Sequence, residues 1–358
     1  MSQLTRRAFL TTTAAGAFVP SLLNAQERAS QTLTSDAQPL AFFLVGDTHY
    51  LADRTSPQQL AEASKTTNGR LIERLNELPG KPIDERAGGG RVLTPAGVIH
   101  AGDLIDSGDK TGATEKTMQA TELTAFINDY GLTGKEGKLR YPVYEVHGNH
   151  DGPRGTGPVV EAIKDRNRKR SGVNHVSENG LHYAWNWGDV RFVCLGIVVG
   201  GVSPPDRKRR YDPLDSLAFL KDDLAKNVGK SGKPVVIVHH IDVLRYSVDC
   251  VPETPAGQAE WDSCDVNAYH AALRDYHVAA VLYGHTHSRK IFRWDGTKMP
   301  AESGIPTFNN DNSAHFASNT QGLLYFEMSA KELKVRELVT ADRWQTTAWT
   351  QEFWSFPI

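Results

Sequence analysis

Side chains able to bind a metal ion fall into five short clusters of this chain. They are Gly46-Asp47-Thr48-His49, then His100-Ala101-Gly102-Asp103-Leu104-Ile105-Asp106, His147-Gly148-Asn149-His150-Asp151, Val238-His239-His240 and Gly284-His285-Thr286-His287. Carboxylate, carboxamide and imidazole donors without a thiolate suit Mn, Fe or Zn and exclude a soft copper site. Residues two apart on an extended segment point the same way, so Asp47 and His49 can reach one ion together, as can His285 and His287. Glycines precede Asp47, Asp103, Asn149 and His285, where a tight turn lets ligands converge. A single Asp-x-His or His-His is ordinary. Five clusters in order, each after an apolar run, are not.

Those runs must be the strands that carry the clusters. Leu40 to Gly46, Ala96 to Ala101, Pro142 to Val146, Val190 to Gly196, Pro234 to His239 and Val278 to Tyr283 read as strands. Helical patterns fill the gaps near 57–77, 115–130, 158–169, 214–228 and 265–276, which predicts βα units in a layered α/β fold. Lys290 to Trp294, Pro306 to Asn309, Gly322 to Met328 and Glu332 to Leu338 read as antiparallel strands. Ligands gathered beyond the carboxyl ends of strands are where open α/β sheets place their sites. The glycine-rich run at 87–91 has no Lys-Ser/Thr and is read as a flexible surface connection, not a phosphate-cradling loop.

The order Asp-x-His, Gly-Asp-x-x-Asp, Gly-Asn-His-Asp, His, Gly-His-x-His, from Asp47 to His287, resembles the calcineurin-like metallophosphoesterase superfamily. The resemblance implies an α/β fold in which a two-sheet β-sandwich is flanked by helices, four layers in all. It also implies two adjacent divalent or trivalent ions. One would be held by Asp47, His49, Asp103 and His287, the other by Asp103, Asn149, His239 and His285, with Asp103 bridging. His239 is preferred to His240 because the first histidine after the strand is the usual ligand in the family. Ile241-Asp242 stands where the family often has prolines.

A hydroxide between two cations forms near neutral pH and can attack a phosphate mono- or diester, while the cations neutralise the charge that develops. His150 is expected to act as acid or to orient phosphate, with Asp106 holding it. Arg154 and His240 are expected to touch the substrate. Ser107 follows Asp106 where serine/threonine protein phosphatases have a phosphate-gripping arginine. Ile105 and Asp106 stand where purple acid phosphatases place a tyrosine ligand. Both departures point to the broader phosphodiesterase-like branch. A non-catalytic metal-binding or interaction module on the same fold is the alternative. Such modules typically lose ligands, and here every ligand position carries a capable residue.

The ends add a route. Residues 1–25 hold Arg6 and Arg7, no acid, a short weakly apolar stretch and Leu23-Asn24-Ala25, the pattern of a signal peptide. The arginine pair resembles a twin-arginine export signal. The segment is too short and polar for a membrane span, and no cysteine follows it to carry a lipid anchor. A linker over 26–38, a metallophosphoesterase domain over 39–340 and a tail over 341–358 packed on that domain complete the expected organisation. Periplasmic or secreted localisation, with the export machinery as partner, follows from the signal. Such export carries folded proteins, so a metal could be acquired in the cytosol beforehand. Net charge is −2, which gives no electrostatic case for nucleic-acid binding. The basic run 206–210 reads as a solvated loop that could also guide an anion. Cys194 reads as a buried thiol, while Cys250 and Cys264 could pair in an oxidising compartment.

Overall fold

The computed structural model describes residues 39–201, 209–246, 260–310 and 312–358. The expected signal and linker, Cys250 with its expected pairing, and the run 206–208 lie outside the described residues.

In chain order the elements begin with β1 (Leu40–Val45), the small hairpin β2 (Ala52–Asp53) and β3 (Ser56–Leu60), and α1 (Glu62–Glu77). Next come β4 (Val98–His100), α2 (Ala113–Tyr130), β5 (Val143–Glu145), α3 (Pro158–Lys169), β6 (Val173–Val176), β7 (Tyr183–Trp187) and β8 (Val190–Cys194). Then follow α4 (Ser216–Asp223), β9 (Val235–Val238), α5 (Ser263–Leu273) and β10 (Val278–Tyr283). The chain finishes with β11 (Lys290–Trp294), β12 (Ile305–Asn309), β13 (Gln321–Met328), β14 (Glu332–Thr340) and β15 (Ala348–Pro357).

Two large sheets form, ordered β15-β14-β13-β1-β4-β5 and β11-β12-β10-β9-β8-β7-β6. Strand alternation divides the apolar residues into three cores. Phe42 and Leu44 face Val236, Val238 and Leu282 between the sheets. Phe43 and Val45 turn the other way, onto Leu71 and Leu75 of α1, Phe126 of α2 and Val160 of α3. Val235 and Ile237 face Leu220 of α4 and Val266 and Tyr269 of α5. The result is four layers, α/β/β/α. Strands buried on both faces need apolar residues at every position, which is why β1 reads LAFFLV without alternation.

Three expectations are refined or changed. Within the segment 341–358, residues Ala348–Pro357 form an edge strand: β15 pairs antiparallel with β14, and Phe356 enters the core between the sheets. Trp349 and Trp354, an odd number of residues apart, take opposite faces of β15: Trp349 packs on the helix side and Trp354 between the sheets. The strands of the last third also divide between the two sheets. β12 runs parallel to β10 and antiparallel to β11, where only antiparallel pairing was expected. Finally, Arg336 ties down the glycine-rich connection by donating to the carbonyls of Ala87 and Gly89.

Candidate metal centre

Parallel pairing aligns the carboxyl ends of β1, β4 and β5 in one sheet, and of β8, β9, β10 and β12 in the other. The five clusters leave from these ends and meet between the sheets. Among the described non-glycine residues, Asp47 (φ 53°), His49 (41°), Asp103 (54°), His285 (74°) and His287 (49°) all have left-handed backbones. Each such residue costs roughly 1–3 kcal/mol and persists only where its surroundings over-determine it. Here backbone bonds do so: Asp47 N–H donates to the Gly102 carbonyl, His49 N–H to that of Asp103, and His285 N–H to the Asp47 carboxylate. Glycine is required for space at Gly148, where a Cβ would lie 2.2 Å from Asp103 Oδ1.

Asp151 is part of this clamp. Its buried carboxylate accepts from the backbone N–H groups of Leu104, Ile105 and Gly148 at 2.7–3.1 Å. Burial and the nearby Asp103 push its carboxyl up to about 7. Ionised or not, it locks the second cluster to the third.

Donor atoms gather in two groups that share one oxygen. In the first, His49 Nε2 is 3.2 Å from His287 Nε2 and 3.5 Å from Asp103 Oδ2, and His287 Nε2 is 3.3 Å from Asp47 Oδ1. In the second, His240 Nε2 is 3.2 Å from Asp103 Oδ2 and 3.1 Å from Asn149 Oδ1, with His285 alongside. Asp103 Oδ1 accepts the His150 N–H at 2.8 Å, so Oδ2 is the atom that faces both groups.

Outer partners fix the histidine tautomers. His49 Nδ1 donates to Asp106 Oδ1 at 3.2 Å, His240 Nδ1 to the Ala101 carbonyl at 2.7 Å, and His285 Nε2 to the Glu260 carboxylate at 3.0 Å. Each leaves its other nitrogen with a lone pair, the usual arrangement for a metal-ligating histidine. For His240 that lone pair meets two further acceptor oxygens, an arrangement that requires a positive charge between them. Without an ion the protein can supply only a proton: burial would lower the His240 pKa, but the Asp103 carboxylate raises it to about 9. Two ligands on one ion, each about 2.1 Å from it, stand about 3–3.5 Å apart, and the spacings above match. The residues fit a pair of cations.

The structure thus brings together Asp47, His49, Asp103, Asn149, His285 and His287, and it departs from the sequence reading at three positions. His239 does not enter the cluster. It follows β9 on the face of Val235 and Ile237, so its ring lies fully buried against Trp261 and Tyr269 on the helix side. His240, one residue on, takes the inter-sheet face of Val236 and Val238 and occupies the donor position; it is fully buried rather than open to substrate. The Asp106 carboxylate holds His49 and pairs with Lys110, while His150 Nδ1 meets the Asp106 carbonyl at 3.1 Å and stands 3.8 Å from Asp109 Oδ1. Arg154 is exposed on the turn after the third cluster and makes no ion pair among the described residues.

Two residues were missed. Glu260 orients His285 and is itself held by Arg245 and Arg210; no periodicity marks it. His315 stands beside His49 and His287, with ring centroids 4.6 and 4.7 Å away. It follows Asn309-Asn310-Asp311-Asn312-Ser313-Ala314, a polar run after an apolar strand like those before the other clusters, and that signal could have found it.

The His239 ring nitrogens have no side-chain partner and only a poorly aligned approach to the backbone of Ile241. Replacing a buried unpaired polar group by an apolar one of the same shape is neutral or stabilising. His239→Phe should therefore keep full metal content and leave the thermal midpoint unchanged or raised by a few degrees. Loss of about one ion per chain in that variant would return His239 to the ligand set.

Residues 40–289 match the family described as calcineurin-like phosphoesterase. Among solved structures, a dimetal phosphatase from Danio rerio is 12% identical at a TM-score of 0.49, covering 90% of this chain and 99% of that one. A PhoD structure is 11% identical at 0.45, covering 88% and 72%. A zinc complex of Vps29 from Entamoeba histolytica is 11% identical at 0.33, covering 89% and 99%. No curated protein matches the sequence.

Proposed function

The chain belongs to the calcineurin-like phosphoesterase family, and from that premise we propose that it hydrolyses phosphate mono- or diesters with two metal ions, Mn, Fe or Zn. One observation carries this reading: a single oxygen, Asp103 Oδ2, faces two groups of donors whose histidines turn lone pairs inward. Asp47, His49, Asp103 and His287 would hold one ion, and Asp103, Asn149, His240 and His285 the other. Bound there, the ions would acidify water and neutralise phosphoryl oxygens.

The chain's own groups do the rest. Asp106, the Ala101 carbonyl and Glu260 keep the three histidines in the ligating tautomer. His150 lies on the open side, its side chain 31% exposed. Its Nδ1 donates to the Asp106 carbonyl, so the doubly protonated ring carries its second hydrogen on Nε2, which passes it to the leaving alkoxide and leaves the ring neutral.

The test is turnover of p-nitrophenyl phosphate beside bis-p-nitrophenyl phosphate by the purified chain, with and without added Mn, together with its metal content. Metal-dependent turnover of either is expected, and their ratio assigns monoesterase or diesterase. A chain that takes up no metal and turns over neither would leave the alternative, an interaction module.

Export by a twin-arginine route, to the periplasm or outside the cell, is part of the proposal and rests on Arg6 and Arg7. Changing both to lysine should retain the precursor in the cytoplasm; unchanged export would overturn it. No described helix is long and apolar enough to cross a membrane.

A further inference from the structure

The histidines around the shared oxygen are wired in one sense, and His315 is wired in the other. His49, His240 and His285 each donate an outward N–H to an acceptor and so present a bare nitrogen inward. His315 Nδ1 instead accepts the backbone N–H of Ala317, at 3.2 Å. A nitrogen that accepts carries no hydrogen, so in the neutral ring the hydrogen sits on Nε2. A nitrogen that carries a hydrogen has no lone pair for a metal.

The ring is placed to use that hydrogen. It stands 4.6 Å from the His49 ring and 4.7 Å from the His287 ring, centroid to centroid, near enough for the three rings to share an ion, so its tautomer decides between ligand and donor. Its backbone is fixed too, the His315 N–H donating to Asn312 Oδ1 at 3.1 Å. That loop leaves the carboxyl end of β12, alongside β10, and is tied to the first cluster by Ser313 N–H, which donates to the Gly46 carbonyl at 2.9 Å. The donor is therefore mounted on the same frame as Asp47.

We infer that His315 is a substrate-binding residue, whose Nε2–H donates to an anionic phosphoryl oxygen held beside His49 and His287. This rests on the phosphoesterase reading. It adds a neutral, fixed-tautomer donor beside the bare inward nitrogens of His49, His240 and His285. A hydrogen bond to a charged oxygen contributes about 1.5–3 kcal/mol, which corresponds to a roughly ten- to hundredfold change in affinity.

The experiment uses the metal-loaded chain with inorganic phosphate as the probe. Its affinity is measured as a competitive inhibition constant and by titration calorimetry, for the native chain, His315→Ala and His315→Gln. His315→Ala should bind phosphate ten- to hundredfold more weakly with its metal content unchanged, and His315→Gln, which keeps an N–H donor, should recover part of the loss. In the metal-free chain, nitrogen-15 spectra of the imidazoles should show His315 as the Nε2–H tautomer, assigned by its absence in His315→Ala. Loss of an ion in His315→Ala would make it a ligand and overturn the proposal. So would unchanged phosphate affinity, or an Nδ1–H tautomer. A native chain that takes up no metal would overturn the phosphoesterase reading itself, whereas an unaffected variant of a metal-loaded, active chain would overturn only the role of His315.

Discussion

Replacing Asp103 with alanine should reduce turnover of both nitrophenyl substrates by at least about a thousandfold and remove most of the bound metal. Asp103 Oδ2 is 3.5 Å from His49 Nε2 and 3.2 Å from His240 Nε2, so both groups of donors lose a ligand in one substitution. Metal ions supply several kcal/mol of transition-state charge stabilisation; about 4 kcal/mol alone is a thousandfold. Alanine also removes the acceptor for the His150 N–H, so Asp103→Asn is the sharper variant. It keeps the shape and an acceptor oxygen but lacks the charge that offsets two cations. Both variants should fold, with metal content by mass spectrometry falling from about two ions per chain to less than one. An Asp103→Asn chain that kept its metals and its turnover would show that the two groups do not act through this carboxylate.

The second large effect concerns stability. Glu145, the last residue of β5, is fully buried between two cations: Arg166 Nε donates to its Oε1 at 2.6 Å, and Arg170 Nη2 pairs with the same oxygen. Arg166 Nη2 continues to the Gly131 carbonyl at 2.6 Å. Removing one partner of a buried ionic network leaves charge uncompensated and costs about 3–5 kcal/mol. Glu145→Ala would therefore consume a large part of a stability that is typically about 5–15 kcal/mol.

The same network fixes an acid dependence. Burial would raise the Glu145 pKa, but Arg166 and Arg170 outweigh it and hold it near about 2 in the folded chain, against an ordinary value of 4.5. A carboxyl depressed by folding contributes fully above the unfolded value, and the contribution is lost as pH falls from about 4.5 toward 2. Urea melts at pH 7 and at pH 3 should show the native chain losing stability on acidification and Glu145→Ala losing less. A cost under about 1 kcal/mol at pH 7, with no difference in acid response, would sink this account. Replacing Glu145, Arg166 and Arg170 together with apolar residues should recover much of the loss, because the uncompensated charges leave with the pair.

Much of the fold was legible in the chain. Its strands are buried on both faces and so read as unbroken apolar runs such as VVIV of β9 and VAAVLY of β10. The five helices lie within a few residues of where periodicity placed them, except that α1 starts at Glu62 because residues 56–60 pair as a strand. The number of sheets was not legible from periodicity, since a doubly buried strand looks alike in one sheet or two; that expectation came from the family resemblance.

Donor chemistry and the order of the clusters were set by the sequence itself, because residue type and position at a strand end are local properties. What only the tertiary structure decided is which atoms meet. A pleated strand reverses its faces at every residue, so whether His239 or His240 enters the centre depends on which face of β9 lies against the other sheet. The same holds for Asp106, which turns its carboxylate to His49 rather than His150, and for Glu260 and His315. Both arrive from loops far along the chain: no local pattern marks Glu260, and the polar run before His315 does not record which rings it meets.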